Sequence, residues 1–399
     1  MKVGVFLGEQ TAFEGGGYTF QDDILQSLIQ LADESNHKYV IFCRSEYAKK
    51  ISLKYPTKII EFISYNKRNI VQRIITLLER VSPAFRIIFR KHPGRLDVLA
   101  RKADIDVLWF VGAGCYFVDI PYITVVWDLM HRTEPWFKEV SMKGQWDFRE
   151  EAHSWFLRRA YSVITGTQVG KGQLVHFYQI PPERIEILPH PTPLFSMEKS
   201  PSENLPCPTI DGIPSRYLFY PAQFWAHKNH ANLLLALKIL RDEFNLQLPL
   251  ILTGADKGNL PYIKDLIRKY DLLSQVHLLG FVSQTVLRGL YENAVALTYV
   301  SFCGPENLPP LEAFALGCPV IAADIPGANE QLGSAVLYVD PKDPWDIAKA
   351  IKNIYDDAQL RNTLIQKGHK RALAWTGKDY VQGVFKILDG FENIRRSWK

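Results

Sequence analysis

The stretch GPENLPPLEAFALGCPVIAADIPGANEQLG, residues 304–333, packs a loop, a helix, a strand and a second loop into a short length of chain. Its first loop carries one acid, Glu306, and ends in the pair Pro309-Pro310. Proline is tolerated in a first helical turn because the N–H groups there have no intrahelical acceptor. An apolar helix is therefore expected from about Leu311 to Gly317, a buried strand over Pro319–Ala322, and a turn at Pro326-Gly327. A helix start also favours anions, since its free N–H groups and its dipole point at the ligand. Residues 306–309 are expected to offer backbone N–H groups to a phosphate. A carboxylate at Glu312 suits the two hydroxyls of a ribose, although simple helix-start electrostatics would place an acid there too.

The alternation extends outward from this stretch. VGVFL, YVIFC, VLWFV, ITVVW and SVITG read as strands in the first half, and YLFYPA, LPLILTG, VHLLGF, VALTYV, CPVIAA and AVLYV in the second. Apolar strands separated by helix-length segments mean parallel sheets covered on both faces, an α/β class. The pattern restarts after residues 189–214, which hold seven prolines and cannot continue a helix. This places one doubly wound domain at 1–195, a second at 196–375, and a terminal helix, 376–399, able to cross back onto the first. Ligands bind at the carboxyl ends of parallel strands, so two facing sheets make a cleft for two substrates.

Composition narrows the class. No run of apolar residues is long enough to span a bilayer, and MKVGVFLGEQ reads as a first strand rather than a secretory signal. The cysteines Cys43, Cys115, Cys207, Cys303 and Cys318 form no C-x-x-C pair, which argues against a zinc site and for a reducing cytoplasm. The net charge of +5 is unevenly placed: residues 65–102 carry ten Lys or Arg against two acids, leaving the remainder at −3. Within that segment, IVQRIITLLERVSPAFRIIFRKH interleaves apolar residues with arginines. It reads either as a solvated helix face or as a surface for anionic membrane at the inner face of the plasma membrane. No base-reading module is present, so nucleic acid is not an expected partner.

Three local patterns carry chemistry. Gly15, Gly16 and Gly17 precede a helix expected near Tyr18, allowing backbone to approach a ligand, but they match neither a dinucleotide fingerprint nor a phosphate-binding Walker loop. Lys228, in YPAQFWAHKNHANLLLALKIL, stands before a helix that Asn229 or His230 could cap, where it could neutralise a diphosphate without a metal. Asp104-x-Asp106 mimics a metal motif but sits at the entry of a strand, the wrong end for chemistry. No metal site is expected.

At this level of detail the segments YPAQFWAHKNH, LLGFVS, GPENLPPLEAFALGCPVIAADIPGANEQL and VLYVDPKDPWDIAKAI resemble, in order and spacing, the C-terminal domain of family 4 glycosyltransferases. SVITGTQVGKGQL and ERIEILPHP resemble the end of that family's N-terminal domain. The resemblance implies the GT-B fold, two Rossmann-like domains facing across a cleft. It implies sugar transfer with retention from a GDP- or UDP-linked donor, without a cofactor or bound metal. It assigns Lys228 to the donor diphosphate and Glu312 to the ribose. The loop with Asn307 and Leu308 would lie along phosphate and sugar, and Gly280, Phe281 and Val282 near the base, with Gly16 and Gly17 on the acceptor side. Three positions depart from the family pattern: Gly304 replaces the first acid of a Glu-x7-Glu pair, Gln223 a basic residue, and Trp127-Asp128 a His-Asp. Glu306 is accordingly assigned to donor-sugar hydroxyls, with Asp128 and His131 near the anomeric centre and Gln223 on the substrate.

The resulting expectation is a retaining hexosyltransferase acting on a saccharide or lipid-linked glycan in surface polysaccharide synthesis, with GDP-mannose the preferred donor. A GT-B epimerase or hydrolase would share the donor site but carry more acids and histidines in the cleft. A catalytically silent sugar-nucleotide binder would fit the three departures.

Overall fold

The computed structural model describes residues 1–8, 15–43, 60–64, 94–114, 116, 118–198 and 214–397. Among the described residues thirteen strands form two sheets: β1 (Lys2–Phe6), β2 (Lys38–Cys43), β3 (Ile60–Ser64), β4 (Val107–Phe110), β5 (Tyr122–Val125), β6 (Ser162–Thr165) and β7 (Ile185–Ile187) in one. The other holds β8 (Leu218–Pro221), β9 (Leu250–Thr253), β10 (Val276–Gly280), β11 (Ala296–Tyr299), β12 (Val320–Ala323) and β13 (Val336–Val339). The first has the order β3-β2-β1-β4-β5-β6-β7, and the second β10-β9-β8-β11-β12-β13. Every pairing is parallel. The strands read from the sequence are all present, and their buried apolar runs explain why: β4 (Val107–Phe110) and β12 (Val320–Ala323) are covered on both faces. Two further strands, β3 (Ile60–Ser64) and β7 (Ile185–Ile187), form the edges of the first sheet. Each interrupts its apolar run with an acid, so neither carries the continuous pattern of an interior strand.

Strand order reverses between β1 (Lys2–Phe6) and β4 in the first sheet, and between β8 (Leu218–Pro221) and β11 (Ala296–Tyr299) in the second. At such switch points neighbouring loops leave in opposite directions and open a crevice. Helices that connect and cover the strands include α1 (Gly16–Leu31), α2 (Gln145–Arg159), α3 (Gln168–Tyr178), α4 (His230–Phe244), α5 (Leu308–Ala315) and α6 (Ala328–Leu332). Helix α1 begins two residues earlier than expected from the sequence. Its N-cap is Gly15, whose φ of 86° is a conformation glycine adopts without strain.

Helix α7 (Gly377–Arg395) leaves the second half and packs on the first sheet. Tyr380, Val381, Val384, Leu388 and Phe391 join one core cluster with Val3, Val5, Ile24 and Leu28. Burying each such side chain contributes on the order of 1.5–3 kcal/mol. Polar contacts fix the helix register: Asp106 accepts from the Lys2 backbone N–H at 2.7 Å and pairs with Arg395. This puts Asp106 at the strand entry, in a structural role. No described helix is long and apolar enough to cross a membrane. Most of the basic segment, residues 65–93, lies outside the described residues, as do Cys115 and Cys207.

Candidate active site

A cleft of about 780 Å³ opens where the two switch points face each other. Its second-domain wall is built from the ends of β8 and β11. Lys228, on the turn after β8, donates from Nζ to the Tyr299 hydroxyl at 2.9 Å and lies 3.4 Å from Asn307 Oδ1. Tyr299 donates in turn to Asn307 Oδ1 at 2.8 Å. Adjacent parallel strands thus hold the ammonium at one point of the cleft before any ligand arrives, at little further entropic cost. Asn229 does not cap α4 with its side chain. Its amide instead donates to the carbonyls of Val300 and Pro341, tying the turn to the loop after β11. His230 is buried, its ring stacked on Phe224 at 4.7 Å.

Glu312 lies in α5 and lines the cleft, 7 % exposed, with its carboxylate accepting from the Tyr291 hydroxyl at 2.6 Å. Burial pushes its pKa up to about 7 against the lowering effect of that bond. Gly280, Phe281, Val282 and Gln223 line the same cavity, as do Trp225, Gly16 and Gly17. Gly280 has a φ of 67°, and Phe281 is among the exposed large apolar side chains.

The loop before α5 differs from expectation. Pro309 has no N–H, and the Asn307 N–H donates to Gln331 Oε1 at 2.9 Å, so residues 306–309 cannot act as a run of phosphate donors. Gly304 adopts a φ of 102°, a backbone in which an acidic residue would be strained. Two residues on, the Glu306 side chain is 3 % exposed and turned towards the first domain, accepting from the His190 N–H at 2.6 Å. A Cβ on Gly166 would overlap this carboxylate, so the absence of a side chain there makes its pocket. Leu308 follows it across, joining the core cluster of the first sheet and filling the space beside Gly16.

His131 is the clearest correction. It is fully buried and absent from the cleft wall: its Nε2 lies 2.8 Å from the Tyr178 hydroxyl, and its ring stacks on His153 at 5.2 Å. Burial pushes its pKa down to about 4, as expected of a neutral core histidine. Asp128 does line the cleft, where it accepts from the Met130 N–H at 3.0 Å and pairs with Arg149 at 3.6 Å.

Four wall residues escape a sequence reading. Tyr299 could have been found as the last residue of a strand at the switch point. Glu139 and His227 meet across the cleft, the backbone N–H of His227 donating to Glu139 Oε1 at 3.0 Å and its Nδ1 lying 2.6 Å away. His190, the fourth, stands edge-on to Phe20 at 5.0 Å. Glu330 is a helix cap, but across the domain boundary: it accepts from the N–H groups of Gln168 and Val169 at the start of α3, at 2.5 and 3.0 Å.

Comparisons with known proteins agree with this geometry. Residues 213–371 match the family model described as glycosyl transferases group 1. The O-antigen chain mannosyltransferase RfbU of Salmonella typhimurium is 29% identical over 199 residues, covering 50% of this chain and 52% of that protein. The O-antigen chain mannosyltransferase B of Escherichia coli is 26% identical over 217 residues, covering 54% and 57%. The chain thus spans about half the length of the curated relatives it matches. Among solved structures, Anabaena Alr3699/HepE in complex with UDP and glucose superposes with a TM-score of 0.69 at 18% identity, over 98% of this chain and 100% of that one. WaaG, a glycosyltransferase involved in lipopolysaccharide biosynthesis, gives 0.68 at 15% identity, over 96% and 99%. The fold is GT-B.

Proposed function

Because residues 213–371 match the model of group 1 glycosyl transferases and the chain has the GT-B fold, we propose that the protein is a retaining glycosyltransferase that moves a hexose from a nucleotide-sugar donor to a saccharide or lipid-linked glycan. The observation that carries this reading is the pair Lys228 and Glu312, held by Tyr299, Asn307 and Tyr291 on one wall of the cleft between the two sheets. The Lys228 ammonium meets the donor diphosphate and stabilises the negative charge that grows there as the glycosidic bond breaks. Glu312 accepts from the ribose hydroxyls, while Gly280–Val282 border the base. The acceptor enters from the first-domain wall at Gly16, Gly17 and Asp128. Lys228 supplies the positive charge at the diphosphate, so transfer is independent of added divalent metal.

Mannose is the preferred sugar because two curated relatives are O-antigen chain mannosyltransferases. A lipid-linked acceptor would bring the chain to the inner face of the plasma membrane, whose anionic lipid attracts the excess of Lys and Arg in residues 65–102. The decisive experiment measures donor hydrolysis and transfer over a panel of GDP- and UDP-sugars, with and without EDTA. Release of one nucleoside diphosphate that survives EDTA and disappears in Lys228→Ala is expected. Full transfer by Lys228→Ala would overturn the assignment.

A further inference from the structure

Next to the Lys228 wall lies a polar cluster for which the reading above has no use. The side chains of Glu306 and His190 are only 3 % and 10 % exposed, and both line the cleft. The carboxylate accepts from the His190 N–H at 2.6 Å, and its other oxygen lies 3.5 Å from His190 Nδ1. Nδ1 has no hydrogen-bond partner, and neither does Trp127 Nε1 nor the Tyr380 hydroxyl. Phe20 touches all three rings, at 5.0 Å to His190, 5.6 Å to Trp127 and 5.4 Å to Tyr380. An ionised carboxylate in such surroundings has one N–H donor and an apolar wall, which is a costly burial. A protonated one would donate to the very nitrogen that lacks a partner.

We propose, resting on the transferase reading above, that Glu306 and His190 work as a neutral, proton-sharing pair: the Glu306 carboxyl donates to His190 Nδ1, which fixes the ring proton on Nε2, and that N–H donates to an oxygen of the bound donor near its sugar–diphosphate junction. Placement follows from the chain, because Glu306 adjoins Asn307, whose side chain contacts Lys228. His190 touches the substrate, and Glu306 is a positioning residue that acts through it. Burial works on both groups in this sense, raising Glu306 to about 8 and lowering His190 to about 4. The other titratable groups facing the pair are Glu330, whose negative charge raises Glu306 further, and Tyr380, itself pushed up by burial. A neutral pair also spares the incoming diphosphate the repulsion that a second carboxylate would impose.

The pair makes Glu306→Gln the informative variant, because a glutamine amide can donate to Nδ1 at any pH whereas an acid working as a carboxylate cannot be so replaced. Transfer by the wild type is expected to fall as pH rises through about 8. Glu306→Gln should stay within about threefold of wild type at neutral pH and lose that alkaline fall, and His190→Ala should lose about tenfold. A folded but inactive Glu306→Gln, or one that keeps the alkaline fall, would overturn the pair. Should wild type transfer from no nucleotide sugar, the transferase reading fails instead, and nitrogen NMR of the His190 ring still decides the pair. A proton on Nε2 with Nδ1 accepting supports it; a proton on Nδ1 overturns it.

Discussion

The two walls of the cleft are built in different ways. On the second-domain wall, side chains hold one another: Lys228, Tyr299 and Asn307 form one chain of bonds, Tyr291 and Glu312 another, all within the second domain. On the first-domain wall, the other domain does much of the shaping. Leu308 fills the space beside Gly16, Glu306 fills the pocket at Gly166, and Glu330 caps α3. A wall of the first kind is complete within its own domain. A wall of the second kind exists only while the domains are together, so domain closure and site assembly are one event.

Lys228→Ala attacks the self-contained wall at its charged end and should lower kcat by about 100- to 1000-fold while leaving the melting temperature near wild type. Tyr291→Phe tests the same wall more gently. Glu312 then loses its donor, and donor KM is expected to rise about tenfold with a smaller change in kcat. Leu308→Ala attacks the borrowed wall and should cost about 2–3 kcal/mol of stability in denaturant titration, because it opens a void in the first-domain core. If Leu308→Ala instead left stability untouched and destroyed only catalysis, the contrast between the walls would fail.

A pH titration sharpens the contrast. Asp23, which accepts from the Leu194 N–H, and Glu306 are raised to about 8 and Glu312 to about 7, all by burial. Each keeps its proton in the fold and loses it near pH 4 in the unfolded chain. Their stabilisation is complete below that value and is lost as pH rises through 7 to 8. The buried histidines His131 and His190 have the opposite sign, losing theirs as pH falls through about 4. Above about pH 7.5, where histidine is neutral in the unfolded chain as well, the acids dominate, so the melting temperature should fall as pH rises to 8, less steeply in Asp23→Asn. The smallest effect belongs to Glu330→Gln, about 0.5–1 kcal/mol, read as weaker domain association at low salt.

His131 and His190 show where a sequence reading stops. Both are histidines beyond strand ends, His131 in the short helix Met130–Thr133 and His190 in the loop after β7, and the sequence singled out the first. Whether a ring points into a core or into a cleft depends on which residues from distant helices surround it: Tyr178 and Glu150 in one case, Phe20 and Tyr380 in the other. Glu306 makes the same point, since its partner lies 116 positions earlier in the chain.

The parallel α/β class, the division into two sheets, and the cleft-side placement of Lys228 and Glu312 were legible in the sequence. All of these follow from local patterns, in which apolar runs set strands, prolines set helix starts, and strand ends set the ligand face. Packing between distant segments settled which acid serves which domain, which histidine reaches the cleft, and that the Glu306 loop reaches into the opposite domain. Those outcomes depend on burial and on partners far apart in the chain, and burial is a property of the assembled fold rather than of any segment.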